Sequence, residues 1–407
     1  MESENRIPIR VALFTGAYNH IADGVSLTLN RLVDYLTKHG VEVLVFAPSA
    51  DNPALDHAGT LIEIPSITAP GRPDYRVSKG LSRRIRSQIA AFQPSLIHIA
   101  TPDFLGLSAL RYARRHNIPA VASYHTHFSS YLKYYRLGML EGGLWRYLRW
   151  FYGNCEQVYV PTSSMADVLR SHGISSGLLD WPRGVETHRF SPKNSDPEWR
   201  VRQGFMENDV VVAFVGRLVW EKGLDVFASA IELLKTRGVP VKSLVVGDGP
   251  ARAELIHRIP NGVFAGHLEG TDLTRAYASA DIFLFPSETE TFGNVTLEAM
   301  ASGLPAVCAN ATGSSTLVVH GETGFLVDPK DVAGFADRLE ELTRDVELRN
   351  TMSVKSRARA MEFDWDAVLS RIPRYYNDLL AARADSNDDH ATIASEAVST
   401  GSAVVAH

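Results

Sequence analysis

SETETFGNVTLEAM, residues 287–300, places two glutamates, Glu290 and Glu298, in an E-x7-E spacing. It follows a short apolar run, residues 282–285, closed by Pro286, which reads as a strand buried in a parallel sheet. Residues 295–301 read as a helix, stopped by Gly303-Leu304-Pro305. A strand, a turn with Gly293 at its tip and a helix N-terminus therefore lie in series. Such a junction offers free backbone N–H groups and the positive end of a helix dipole to an anion. A carboxylate beside those groups can grip sugar hydroxyls while the N–H groups hold a phosphate, a combination that suits a sugar joined to a phosphate. Taken alone, two glutamates eight apart are usually the solvated face of a helix, so the choice rests on what stands upstream.

Upstream, residues 211–223 read VVAFVGRLVWEKG. An apolar strand ends in Gly216-Arg217, and Lys222-Gly223 follow within one short loop. Residues 224–235 then show helical apolar spacing through Leu224, Phe227, Ala228, Ile231 and Leu234. Arg and Lys at the carboxyl end of a strand can both point into the crevice outside the sheet, where open α/β sheets bind ligands. A planar guanidinium fork and a point-charge ammonium together suit a diphosphate leaving group. Residues 244–250, LVVGDGP, are another strand ending in a glycine turn at Gly247; alone this is an ordinary strand-to-helix turn.

The segments GRLVWEKG, VGDGP and ETFGNVTLEAMASGLPAV, in this order and spacing, resemble the donor-site pattern of the family-four retaining glycosyltransferases of the GT-B fold. The resemblance spans residues 9–380. It implies an α/β fold in which two doubly wound, Rossmann-like domains face a cleft and a C-terminal helix crosses back to the N-terminal domain. It further implies that Arg217, Lys222 and the helix N-terminus near Gly293 stabilise the departing diphosphate. Glu290 would hold donor-sugar hydroxyls and Glu298 the ribose hydroxyls. Phe292, Gly293, Asn294 and Val295 would offer backbone amides, with Gly247 in the same donor site.

Composition is consistent with two domains. At 407 residues the chain exceeds one ordinary domain. A net charge of -5 gives no argument for nucleic acid, and two cysteines, Cys155 and Cys308, cannot make a disulfide framework. The polar start carries no signal peptide, and no apolar run approaches the ~18 residues of a membrane span. A cytoplasmic protein, peripheral at the inner face of the cell membrane, is the expectation.

Strands are expected at 11–15, 41–47, 96–100, 120–124 and 158–161, with helices at 27–39 and 81–92. This alternation means a parallel sheet with helices on both faces. A polar, proline-bearing stretch at 183–197 reads as the linker, and a second β/α series runs from 210 to about 362. The expected organisation is an acceptor-binding domain, 1–190, joined by a crossing helix, 363–382; a donor-binding domain, 191–362; and a disordered tail, 383–407.

The N-terminal half adds two candidates. SYHTHF, residues 123–128, ends a strand and presents His125, which in the similar enzymes contacts the donor sugar or its phosphate; His127 carries that role weakly. H-x-H can also be a metal pair, without a third ligand cluster nearby. Asp23-Gly24-Val25-Ser26 resembles the family's N-terminal glycine loop, where Gly24 would let backbone approach the diphosphate and the acceptor. Asp23 departs from the usual Asn and brings a negative charge. Near Gly313, Ser315 and Thr316 stand where the family has Pro-Glu, so donor choice does not transfer from a relative. Asp364-Trp365-Asp366 reads as a helix start rather than a metal site. No metal and no cofactor are expected, since Arg217 and Lys222 supply the neutralising charge.

The resemblance implies same-face attack through an oxocarbenium-like state, with a β-phosphate oxygen taking the acceptor proton. The expected partners are a UDP- or GDP-linked hexose or hexuronic acid, a membrane lipid acceptor such as diacylglycerol or a glycolipid, and an anionic membrane surface. The surface is suggested by the basic stretch 72–86 and by YLKYYRLGMLEGGLWRYLRWFY, residues 131–152. Both stretches read equally as amphipathic helices packed on a sheet. A soluble or polysaccharide acceptor, a sugar-nucleotide epimerase and a non-catalytic binding module are the alternatives. A nicotinamide enzyme is disfavoured, because the first loop, FTGAYNHIADGVS, lacks G-x-G-x-x-G.

Overall fold

The computed structural model describes residues 8–21, 23–50, 52–69, 72–124, 141–290, 292–311 and 313–385. The chain divides into two compact units. Unit 1 comprises Met1–Val160, Val168–Trp181 and Leu369–His407; unit 2 comprises Pro161–Asp167 and Pro182–Val368. Among the described residues no helix is long and apolar enough to cross a membrane.

Unit 1 carries strands β1 (Arg10–Phe14), β2 (Glu42–Ala47), β3 (Thr60–Glu63), β4 (Ser66–Ala69), β5 (Arg72–Ser78), β6 (Leu96–Ile99), β7 (Ala120–Ser123), β8 (Gln157–Val160) and β9 (Leu178–Asp180). Seven of them form a parallel sheet in the order β3-β2-β1-β6-β7-β8-β9, while β4 and β5 form a separate antiparallel ribbon. The central strands are short and buried on both faces, as in a sheet covered by helices on each side.

The first helix, Gly24–Lys38, starts three residues earlier than the apolar spacing predicts. Asp23 is the reason. Its Oδ1 accepts from the N–H groups of Val25 at 3.0 Å and Ser26 at 2.8 Å, while Ser26 Oγ accepts from the Asp23 N–H at 2.9 Å. This reciprocal cap commits the Asp23 carboxylate to the helix.

The C-terminal segment returns to unit 1 as a helix over 371–385. Its Tyr376 meets His98 of β6, a fully buried ring whose Nδ1 lies 2.6 Å from Tyr376 Oη and whose Nε2 lies 2.5 Å from Ser123 Oγ. Burial pushes the His98 pKa down to about 3, so the ring is neutral, one nitrogen donating and one accepting. Tyr159 and Trp181 close around it. The helix runs through 385, past position 383 where a disordered tail is expected, because Arg383 reaches Glu156 Oε1 at 2.9 Å and Asn117 O at 3.0 Å. The remaining tail residues lie outside the described ones.

The return begins at Leu369 rather than 363. Phe363 packs edge-on against Phe292 at 6.1 Å and its carbonyl accepts from the Val185 N–H at 2.8 Å, and the Trp365 ring fills the space left by Gly184. These contacts hold 363–365 in unit 2. Asp364 accepts from the Asp366 N–H at 3.0 Å and so opens the helix Trp365–Leu369, as its sequence suggests.

Unit 2 carries β10 (Val210–Val215), β11 (Val241–Val246), β12 (Val263–Gly266), β13 (Ile282–Phe285), β14 (Ala306–Ala309) and β15 (Gly324–Val327). They form one parallel sheet in the order β12-β11-β10-β13-β14-β15. Both sheets are thus of the doubly wound parallel kind that the alternation predicts.

Candidate active site

In unit 2 the chain winds from β10 to one side through β11 and β12, then to the other through β13, β14 and β15. The gap between the carboxyl ends of β10 and β13 is therefore the topological switch point, where open α/β sheets bind ligands. The loop after β10 makes a single 3-10 turn, Trp220–Lys222, and Gly223 follows at φ 74°. A Cβ on Gly223 would stand 2.5 Å from Pro286 O, the residue just after β13. A glycine is required there by both the dihedral and the close approach. The two loops pressed together put Lys222 Nζ on Glu290 Oε1 in an ion pair, with side chains 23% and 18% exposed. Thr289 Oγ1, 3.5 Å from Glu221 O, adds a second contact between the loops.

Arg217 is exposed just beyond β10 and has no ion-pair partner among the described residues. Gly247 follows β11 at φ 131°, donates its N–H to Gly266 O at 2.7 Å, and would place a Cβ 1.9 Å from Gly216 O. The packing of neighbouring strand ends is enough to explain its missing side chain.

After β13, Gly293 takes φ 95° and ψ 53° and heads the helix Asn294–Ala301, with no side-chain cap among the described residues. The N–H groups of Asn294, Val295 and Thr296 precede the first intrahelical bond, Leu297 N to Gly293 O at 3.0 Å. Phe292 itself is buried, so only its backbone faces this turn. One turn into the helix, Glu298 Oε2 accepts from Tyr277 Oη at 3.0 Å. Burial pushes the Glu298 carboxyl up to about 7, with the Tyr277 hydroxyl and the Arg189 charge working in the opposite sense. Lys222, Glu290 and the Gly293 turn thus come together, with Arg217 and Gly247 on the neighbouring strand ends.

Gly24 lies in unit 1, exposed, as the first residue of its helix. His125, His127 and Thr312 lie outside the described residues. Near Gly313, Thr316 Oγ1 is buried and has no hydrogen-bond partner among the described residues. Tyr277 was not singled out by the sequence reading. Its signal is a phenol on the buried face of the helix Gly270–Ala278, a place where the hydroxyl must find an acceptor.

Unit 1 has a cavity of about 570 Å³ lined by Ser49, Glu63, Arg76, Ser82, Arg84 and Gln88, beyond the carboxyl ends of β2 and β3. On the adjoining helix Arg83–Phe92, Arg83, Arg84 and Arg86 are exposed while Ile85 and Ile89 are buried. On the helix Glu141–Tyr152, Trp145, Leu148, Phe151 and Tyr152 face inward and Trp150 stays exposed. Most of that aromatic stretch is core, and residues 131–140 lie outside the described ones.

Residues 209–345 match the family model described as "Glycosyl transferases group 1", and residues 22–189 match "Glycosyltransferase Family 4". The sulfoquinovosyl transferase SQD2 of Arabidopsis thaliana is 33% identical over 377 residues, covering 90% of this chain and 72% of that protein. The chain belongs to glycosyltransferase family four. An alpha-monoglucosyldiacylglycerol synthase of Streptococcus pneumoniae is 27% identical over 89% of the transferase and 87% of its own length. The solved sucrose-phosphate synthase of Thermosynechococcus elongatus shares the fold, with a TM-score of 0.70 at 21% identity over 92% of the transferase and 100% of that chain. The transferase is an enzyme of a retaining, nucleotide-sugar-dependent family with the GT-B architecture.

Proposed function

We propose that the transferase moves a hexose or hexuronic acid, with retention, from a UDP- or GDP-linked donor to a membrane lipid such as diacylglycerol or a glycolipid. The observation that carries the donor half is the Lys222–Glu290 ion pair at the switch point, beside the uncapped helix N-terminus at Gly293. In the bound state Lys222 and Arg217 turn to the diphosphate, and the N–H groups of the Gly293 turn hold its oxygens. Their positive charge is in place before negative charge develops on the leaving group. Glu290 takes donor-sugar hydroxyls and Glu298 takes the ribose. No covalent nucleophile is assigned; the acceptor hydroxyl attacks from the face the diphosphate leaves, and a β-phosphate oxygen takes its proton.

Unit 2 is the donor-binding half in this reading, and unit 1 binds the acceptor. The likeness to a diacylglycerol-glycosylating enzyme supports a lipid. So do the three exposed arginines on the first turn of the helix Arg83–Phe92, where no acidic residue balances them against the helix dipole. They suit the anionic headgroup region of a membrane's inner face. The inward-facing aromatics of Glu141–Tyr152 instead favour a second reading, a soluble or polysaccharide acceptor. Incubating the protein with labelled UDP- and GDP-sugars and vesicles of diacylglycerol in anionic phospholipid separates the two. Label in the lipid phase is expected. Label confined to added soluble glycans refutes the lipid acceptor, and no transfer from any donor to any acceptor refutes the reading as a whole.

A further inference from the structure

The ring of Tyr277 is wholly buried, with Phe190 at 5.8 Å and Phe283 at 6.2 Å between ring centroids. A phenol hydroxyl in such a place cannot turn to water and must be satisfied by protein. Its acceptors are Glu298 Oε2 at 3.0 Å and Val295 O at 3.3 Å. Glu298 is only partly exposed and its carboxyl is largely withdrawn from solvent, with one oxygen held by the Tyr277 hydroxyl. The other charges acting on it are Arg189 and Glu186, themselves paired at 3.0 Å, which pull in opposite directions.

We propose that Tyr277 is a positioning residue for donor binding: its hydroxyl holds Glu298 as the carboxylate that the ribose needs, which couples nucleotide binding to proton release. This rests on the assignment of Glu298 to the ribose. Ribose hydroxyls donate, and a carboxylate accepts at both oxygens where a carboxylic acid has lost one of those sites to its own proton. With the carboxyl pushed up to about 7, both forms are populated in the free enzyme near neutral pH. Binding selects the charged form. Affinity is therefore flat above that value and falls below it, by about tenfold per pH unit.

The test is calorimetric binding of UDP and of GDP to the full-length enzyme, Tyr277→Phe, Glu298→Gln and the double variant, across pH 6 to 8.5. The nucleotide's own phosphate titration is common to all and cancels in the ratios. Tyr277→Phe removes about one hydrogen bond to the charged carboxyl, worth roughly tenfold. The expected loss is about tenfold at pH 6, about fivefold at pH 7 and less than about twofold at pH 8.5. In the Glu298→Gln background the Tyr change adds nothing. A loss that is constant with pH, as a packing role would give, overturns the proposal, as does no loss at all. Should Tyr277→Phe fail to fold, the affinity ratio of the unaltered enzyme to Glu298→Gln must still rise through pH 7, and a flat ratio overturns the coupling. No binding of either nucleotide to the unaltered enzyme overturns the donor assignment itself, a result distinct from intact binding with a flat ratio.

Discussion

Replacing Glu290 by Gln separates two roles of one carboxylate. Lys222 is paired with Glu290, and under the proposed donor site a nucleoside diphosphate must win the ammonium from it. The pair is 23% and 18% exposed. That places it between exposed pairs, worth ~0–1 kcal/mol, and buried ones, whose breaking costs ~3–5 kcal/mol. After screening, roughly 1 kcal/mol opposes the diphosphate, or about fivefold in affinity. Gln keeps the shape and gives up the charge. UDP or GDP should therefore bind Glu290→Gln about fivefold more tightly, while transfer falls on the order of tenfold to a hundredfold, because the sugar hydroxyls lose a charged acceptor. Calorimetry with the nucleotide alone measures the first effect, and it should shrink at high salt. Steady-state transfer measures the second. Weaker nucleotide binding in the variant would refute the competition for Lys222, and an unchanged kcat would remove Glu290 from the sugar subsite.

Three other perturbations follow from the geometry. Gly247→Ala sets a Cβ 1.9 Å from Gly216 O at φ 131°, backbone against backbone; a cost of about 3 kcal/mol should lower the melting of unit 2 by about 6–12 °C in calorimetry, and a drop under about 2 °C refutes it. Unfolded His98 takes a proton below about pH 6.5, whereas the buried ring stays neutral down to about 3. In that window the unfolded chain binds more protons, so stability falls as pH falls, by about 2 kcal/mol at pH 5. His98→Gln should flatten the urea midpoint against pH, and parallel profiles would refute the linkage. Changing Arg83, Arg84 and Arg86 together to Ser should weaken pelleting with anionic vesicles at low salt on the order of a hundredfold, at about 1 kcal/mol per arginine; unchanged pelleting locates any membrane contact elsewhere.

What could be read from the chain was local. Gly223, Lys222 and Gly293 announce themselves because turns and strand ends are written in consecutive residues, and inner strands such as β10, VVVAFV, and β13, IFLF, are short apolar runs. The edge elements were harder. The edge strand β3 has exposed ends and a half-exposed middle, and the ribbon strand β5, RPDYRVS, is mostly polar in sequence. The His98–Tyr376 contact joins residues 278 apart in the chain, and Tyr277 and Glu298, 21 apart, sit on two different helices, so the periodicity of one element reveals neither contact. The return to unit 1 starts at Leu369, six residues beyond the place the sequence suggests, because Phe363 and Trp365 look the same whichever unit they pack in. The helix Glu141–Tyr152 shows the limit of composition, since aromatics beside arginines describe a membrane face and a packed helix equally well.

That late return also sets an order of events at the ribosome. Unit 1 is first in the chain and last to be completed. Between the emergence of Trp181 and that of Tyr376 the long segment of unit 2, Pro182–Val368, must be synthesised. At about 5–20 residues per second the interval is about 10–40 s. Through that time the His98 ring, Tyr159 and Trp181 wait without the helix that covers them, on a nascent chain whose second unit can finish folding ahead of the first. A chain that stops short of Leu369 carries every residue of unit 2 and a first unit that has no means of closing.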